Sequence, residues 1–261
     1  MSTLNGGPGT IVKDGLVLYL DLANTKSYTG TGGTGSIIYD LSPSGYNGVI
    51  GGTISLTFSN GNLEFDGKNN QLINLGKNKT ALYAGANDYT WSAWLKMGSG
   101  HVWYGNAGLG NAGFGIRTGY SPPTPPFLAV EIKGNNNLRQ TKFFGQTYQG
   151  QGGKVLTDSW GKWQHYAFVI NKLAGPIQDG FYTMNFYLGG VSASTFTFSE
   201  WGSIVAQTGH AVVFGSHGDN PDYSPTNLYG GSMAVIMVYG RALNASEISQ
   251  NYNSTKARFG I

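Results

Sequence analysis

The run GSMAVIMVYG, residues 231–240, constrains this chain more than any other segment. Read as a strand it has two apolar faces, with Met233, Val235, Met237 and Tyr239 on one and Ala234, Ile236 and Val238 on the other. Such a strand has to be covered on both sides. The next segment offers one cover. In YGRALNASEISQNY, residues 239–252, Asn244 is placed to act as N-cap and Glu247, three residues on, to close a capping box. Ile248 and Tyr252 then fall one turn apart on a single face. A short amphipathic helix is expected to pack over a sheet edge or face directly after the strand that needs it.

The rest of the chain reads as strands and turns. GLVLYLDL places Leu16, Leu18, Leu20 and Leu22 on one face and Val17, Tyr19 and Asp21 on the other. YTWSAWLKM places Trp91, Ala93, Leu95 and Met97 on a core face and Thr90, Ser92, Trp94 and Lys96 on a mostly wet one. YNGVIGG, TISLTF, NLEFDG and QLINLG are short runs punctuated by Asn-Gly and Asp-Gly pairs, and Asn60-Gly61 is the strongest hairpin signal among them. WQHYAFVIN, FYTMNFYLGG and HAVVFG add further strands. With 42 Gly and 13% aromatic residues against 11% charged, the composition is that of a turn-dense, aromatic-cored β protein. The expected fold is all-β: a two-sheet antiparallel jelly-roll sandwich with a short C-terminal helix. Residues 1–13 read as a Gly-rich arm and 14–261 as one sandwich domain. That domain carries a long loop and hairpin insertion over about 98–160, where SPPTPPF and GQTYQGQGGK interrupt the pattern.

Charge and composition exclude several functions. The net charge is +3 and the basic residues are scattered, so no nucleic-acid partner is expected. There is no Cys, hence no disulfide framework, thiolate metal site or Cys nucleophile. No apolar run approaches ~18 residues, which argues against membrane insertion. MSTLNGGPGT lacks the charged and apolar regions of a signal peptide, so synthesis in a cytoplasm is expected. GLGNAG fits the dinucleotide fingerprint by letter, but FGIRTGY follows it where a helix is required. PPTPP is most simply a rigid surface loop.

An ordered series of pieces from about Gly15 to Tyr252 resembles the laminin-G-like, concanavalin A-like lectin/glucanase domains. GLVLYLDLAN resembles their opening strand, YDLSPSGYNGVI a recurrent Asp-Ser-Gly-Asn-Gly turn, and LEFDGKNNQLINLG their Phe-Asp-Gly hairpin, with Gln71 in place of an aromatic. YTWSAWLK, WQHYAFVIN, FYLGG and YGRALNASEISQNY are similar to later strands and to the closing helix. Within the family, DGLVLYLDLANTKSY and QNYNSTKARFGI look like copies in virion proteins of tailed phages, especially those of cyanobacterial hosts.

The resemblance implies three chemistries to weigh. Glucanases of this fold use paired carboxylates, and Glu64 and Asp66 supply two members of the laminarinase-type signature. Lys68 and Asn69 stand where the third is needed, so no enzymatic activity is expected. Many relatives hold calcium at the sandwich rim. Ala234 and Val235 occupy the place of the usual acidic pair, which argues against a cofactor and leaves His217, Asp219 and Asp222 as weak metal candidates. Sugar binding needs exposed aromatics beside hydrogen-bonding groups. The candidates are Trp103, Tyr104, Tyr120, Tyr148, Trp201 and Tyr223, whereas Trp91, Trp163 and Phe168 are expected in the core. The resemblance thus implies a non-enzymatic structural module on a phage virion surface, as a capsid, neck or tail decoration that helps adhesion. Its partners would be other virion proteins, copies of itself and host-surface polysaccharide. A stand-alone adhesin or receptor-binding tail protein is the alternative, and a divergent glycoside hydrolase comes third.

Overall fold

The computed structural model is a sandwich of two antiparallel sheets closed by a C-terminal helix. It describes residues 10–261 except 31–32, 53, 68, 70, 78, 80–81, 83–87, 98–101, 107–112, 122–123, 134–138, 145–160, 173–179, 202–210 and 218–226. For 77, the strands within 102–144, 172, 180–182, 198–201, 211, 216–217 and 227–228 it describes the backbone alone. The strands in chain order are β1 (Leu16–Asp21), β2 (Ile37–Ile38), β3 (Gly48–Gly52), β4 (Thr57–Ser59), β5 (Asn62–Asp66) and β6 (Gln71–Lys77). Next come β7 (Tyr89–Met97), β8 (Val102–Asn106), β9 (Gly113–Ser121), β10 (Thr124–Lys133), β11 (Arg139–Phe144) and β12 (Trp163–Lys172). The last six are β13 (Gly180–Leu188), β14 (Val191–Trp201), β15 (Ala211–Phe214), β16 (Ser216–His217), β17 (Asn227–Leu228) and β18 (Gly230–Tyr239).

The first sheet runs β14-β13-β12-β7-β18-β5-β4, with β1 also paired to β18. The second runs β11-β10-β9-β8-β15-β6-β3-β2, so four strands from the long central segment extend it. Between the sheets lies one core containing Leu18, Leu20, Ile73, Trp91, Phe168, Phe186, Ile236 and Val238. The expected hairpin forms at Asn60-Gly61, where φ is +50° and +75° and Ser59 faces Asn62. Gly61 is also required sterically, because a Cβ there would stand 2.5 Å from the Ala23 methyl. The turn after Ile38 is organised by Asp40, whose carboxylate accepts from the backbone N–H of Tyr19, Ser42 and Tyr46 and from the Ser42 hydroxyl. Gln71 replaces the family aromatic by bonding: it is buried, accepts from Asp66 N–H and donates to the Ser55 carbonyl.

The outer face of the first sheet is also covered. Helix α1 (Ala245–Thr255) and the 3-10 turn Lys256–Phe259 lie over it, enclosing Leu16, Trp94, Val169, Val235, Met237, Tyr239 and Ile248. Trp94 therefore departs from the wet face expected of it. It is fully buried, stacked on Phe259 at 4.1 Å and on Tyr252 at 5.7 Å, with its indole N–H donated to Thr255. Thr90 and Ser92 are buried as well, and only Lys96 on that face is exposed. Two register irregularities move residues from their alternation-predicted faces. Between Leu16 and Leu18 the β1–β18 register shifts, sending Leu16 outward while Leu18 and Leu20 stay in the inter-sheet core. Between Met233 and Val235 the β18–β7 register shifts at Ala234, leaving Met233 with Ile236 and Val238. An extra residue in one strand re-aims everything beyond it.

The capping box forms as the spacing predicts: Asn244 Oδ1 accepts from Glu247 N–H and Glu247 Oε2 from Asn244 N–H. Arg241 bonds both Glu247 oxygens, and these bonds hold the Glu247 carboxyl below its ordinary pKa. The chain just before β1 is pinned beneath the helix. Asn251 Oδ1 accepts from Val12 N–H at 2.8 Å, its amide donates to the Tyr239 hydroxyl, and that hydroxyl donates to the Val12 carbonyl. Gly190, at φ +78°, lets the β13–β14 turn approach the helix, since a Cβ there would meet the Tyr252 ring at 2.7 Å.

Candidate functional site

β18 changes partner along one edge. Gly230–Met233 pair with β5, Val235–Tyr239 lie along β1, and at the junction Ala234 accepts the Leu22 N–H. There the C-terminal cover stops and the outer face opens as a groove of about 530 Å³. Register builds its floor. Trp163 faces Lys96, Lys96 faces Ser232, and Ser232 faces Glu64, so one row of side chains crosses four strands on the outer face. At a strand spacing of ~4.8 Å the row spans about 14 Å. Asn62, two residues before Glu64, shares this face, and its Oδ1 is buried without a partner among the described residues. One wall is Ala23 with the Asn60-Gly61 turn, and the other is Arg258 with Phe259.

The electrostatics are simple. Arg258 Nη1 lies 2.7 Å from Asp21 Oδ1, and the Tyr19 hydroxyl donates to Asp21 Oδ2. Burial, reinforced by Asp21, pushes the Tyr19 hydroxyl pKa up and keeps it a donor. Glu64 and Lys96 are exposed, two strands apart, and neither has an ion-pair partner among the described residues. Trp163 is half-buried, with its ring 4.9 Å from that of Phe259. Beyond this row, His165 lies fully buried beside Trp94, its Nε2 2.8 Å from the Ser92 hydroxyl, and burial pushes its pKa down to about 3. It is neutral at pH 7 and belongs to the packed part of the face.

The groove gathers polar donors and acceptors beside an aromatic edge. Among the described residues it is lined by one carboxylate, Glu64. A retaining or inverting glycosidase needs two flanking the scissile bond. Asp66, on the same strand, is engaged by the Asn69 backbone and side-chain N–H groups at the hairpin.

The sequence candidates lie elsewhere or outside the described residues. Trp103 and Tyr104 sit on β8 opposite Arg117 and Ile116, and Tyr120 on β9, all in the second sheet. Trp201 ends β14 opposite Gly180. Tyr148, Tyr223, Asp219 and Asp222 lie outside the described residues, and His217 pairs with Asn227 in the small β16–β17 sheet. Among the described residues no three of His, Cys, Asp and Glu come together. Ala234 and Val235 are both buried. Trp163, expected in the core, instead edges the groove, where Lys96 and Ser232 join it without a motif to mark them. The usable signal was the placement of Trp163 at the start of its strand and of Lys96 near the end of its own, which antiparallel pairing brings side by side.

A family model described as the concanavalin A-like lectin/glucanases superfamily, of laminin G type, matches residues 66–249. The chain belongs to this superfamily. Membership accounts for the two-sheet architecture, and the superfamily takes in both lectins and glucanases. No curated protein sequence matches the chain. Solved structures with the same concanavalin A-like architecture include the binding domain of botulinum neurotoxin serotype C1, at 16% identity and TM-score 0.61 over 93% of this chain and 53% of that one. Others are the binding domain of botulinum neurotoxin DC in complex with rat synaptotagmin II (17%, 0.60, covering 93% and 52%) and that of serotype D in complex with N-acetylneuraminic acid (13%, 0.57, covering 92% and 51%). At such identities the likeness is one of fold, and this concanavalin A-like chain spans about half the length of each of those binding domains.

Proposed function

We propose that this protein is a non-enzymatic, lectin-like adhesion module whose groove on the first sheet holds glycan. The observation that carries the reading is the groove itself: carboxylate, hydroxyl and ammonium groups in one open row that ends at an aromatic edge, with the Asn62 amide beside the carboxylate. Planar polar groups beside an aromatic surface are what a polyhydroxylated ring requires. One lining carboxylate among the described residues supports binding over hydrolysis, since displacement at an anomeric carbon needs a second group. The neurotoxin binding domains recorded with N-acetylneuraminic acid and with synaptotagmin II support a role in recognition.

The setting we propose is the surface of a tailed-phage particle, in many copies beside other virion proteins, facing host-surface polysaccharide. The likeness of residues 14–28 and 250–261 to copies in such virion proteins supports it. Multiple copies would raise the avidity of a shallow, solvent-open site without any new contact. The test is a glycan array probed with purified protein, run beside a reducing-end hydrolysis assay. Retention of a glycan without turnover is expected. Hydrolysis abolished by Glu64→Gln overturns the non-enzymatic reading, and retention of nothing overturns the lectin reading. Antibody labelling of particles in electron micrographs tests the setting.

A further inference from the structure

We infer that the groove selects an uncharged oligosaccharide laid across the strands, with Glu64 and Lys96 as opposed hydrogen-bonding anchors and Trp163 as the stacking end. The inference rests on the glycan reading above and adds the ligand's charge class, its direction and the role of each residue. Charge carries it furthest. Among the described residues, the charged side chains that line the groove are Glu64, Lys96 and Arg258, and Arg258 is committed to Asp21 at 2.7 Å. Among the described residues that leaves one exposed carboxylate and one exposed ammonium with Ser232 between them, about 10 Å apart across two strand spacings. An anionic chain lying along the row would meet Glu64, and a cationic one Lys96, so neither gains from the whole row. A neutral ligand gains at both anchors, its hydroxyls donating to Glu64 and accepting from Lys96, in charge-assisted bonds stronger than neutral ones.

Geometry sets direction and length. The anchors and Trp163 lie on one line perpendicular to the strands, about 14 Å long, which suits several sugar units rather than one. Asn62 lines the groove two residues before Glu64, so its side-chain amide adds a hydrogen-bonding group at that end. At the other end, Trp163 and Phe259, tilted 45° to one another, supply the apolar surface for the carbon face of a ring.

The experiment titrates the intact protein with neutral oligosaccharides, and with uronate-containing and sulfated ones of matched length, at low and high salt. A neutral ligand is expected to bind best, with affinity changing less than about two-fold with salt. Glu64→Gln and Trp163→Ala are each expected to weaken it about ten-fold. The sign for Glu64→Gln is decisive: an anionic ligand would bind the variant more tightly, and that outcome, or a best ligand that is acidic and salt-sensitive, overturns the inference. Thermal melts of the variants separate lost binding from lost folding, and Lys96→Met offers a second exposed position should Trp163→Ala melt early. If the wild type retains a glycan but every groove variant binds equally, the inference fails and the lectin reading survives. If the wild type retains none, the lectin reading fails with it.

Discussion

At the scale of single residues, covering the outer face of the first sheet converts polar positions into structural ones. His165 is the clearest case. It is fully buried between Trp94, Tyr252 and the Ser92 hydroxyl, and its pKa falls from 6.5 to about 3 because burial penalises the cation. A base with a depressed folded-state pKa contributes stability that is complete above 6.5 and lost as pH drops toward 3. About 2–3 kcal/mol should disappear between pH 7 and pH 4.5, before most carboxylates protonate. Urea denaturation at stepped pH should show this slope, and His165→Gln, whatever its stability at pH 7, should flatten it. An identical slope in the variant would mean other groups titrate. The sequence showed the Trp-x-His pattern of this strand but not the burial of the imidazole. Trp94 reads as outward by alternation, and the helix that covers both side chains begins about 80 residues after His165 and 150 after Trp94.

At the scale of elements, alternation was a sound guide until a bulge intervened. The core face of β7 and the hairpin at Asn60-Gly61 were legible because local chemistry dictates them. Leu16 and Met233 changed faces because an extra residue in one strand resets its parity, and neither LVL nor SMAV marks that residue. The groove was hidden for a related reason: register sets its row, and register between strands distant in sequence has no local signature. The helix was legible from its cap, yet its strongest fastening was not. Thr90 Oγ1 donates to the Arg241 carbonyl and accepts from Leu243 N–H, joining β7 to the segment that leads into α1. Thr90→Val keeps the shape and strands the buried Leu243 N–H and the half-buried Arg241 carbonyl, which should cost about 2–3 kcal/mol. Asn244→Ala removes an exposed cap and should cost about 1 kcal/mol. Denaturation midpoints at constant m decide the order, and a larger loss for Asn244→Ala would contradict this account of the fastening.

At the scale of the molecule, the first sheet is a middle layer, with the second sheet on one face and the chain ends on the other. The doubly apolar β18 made that arrangement legible in outline, since its two faces demanded two covers. The outer cover is a joint structure. Val12 is bound by Asn251 and Tyr239, Gln250 holds the Thr10 carbonyl, and Arg241 spans Asp14 and Glu247. Removing residues 243–261 would expose Trp94, Val235, Met237 and Tyr239 together. At roughly 1.5–3 kcal/mol for each large apolar side chain, the loss is comparable to the 5–15 kcal/mol that holds a whole domain folded. The truncated chain should therefore melt far below the intact one or fail to fold. In the intact protein the Val12 amide, although it belongs to no strand, should exchange with solvent as slowly as the β18 amides, because its acceptor is released only when the helix lifts. Fast exchange at Val12 beside slow exchange in β18 would show that the N-terminal segment opens alone, and an unchanged melting temperature on truncation would show that the helix is an ornament rather than a layer.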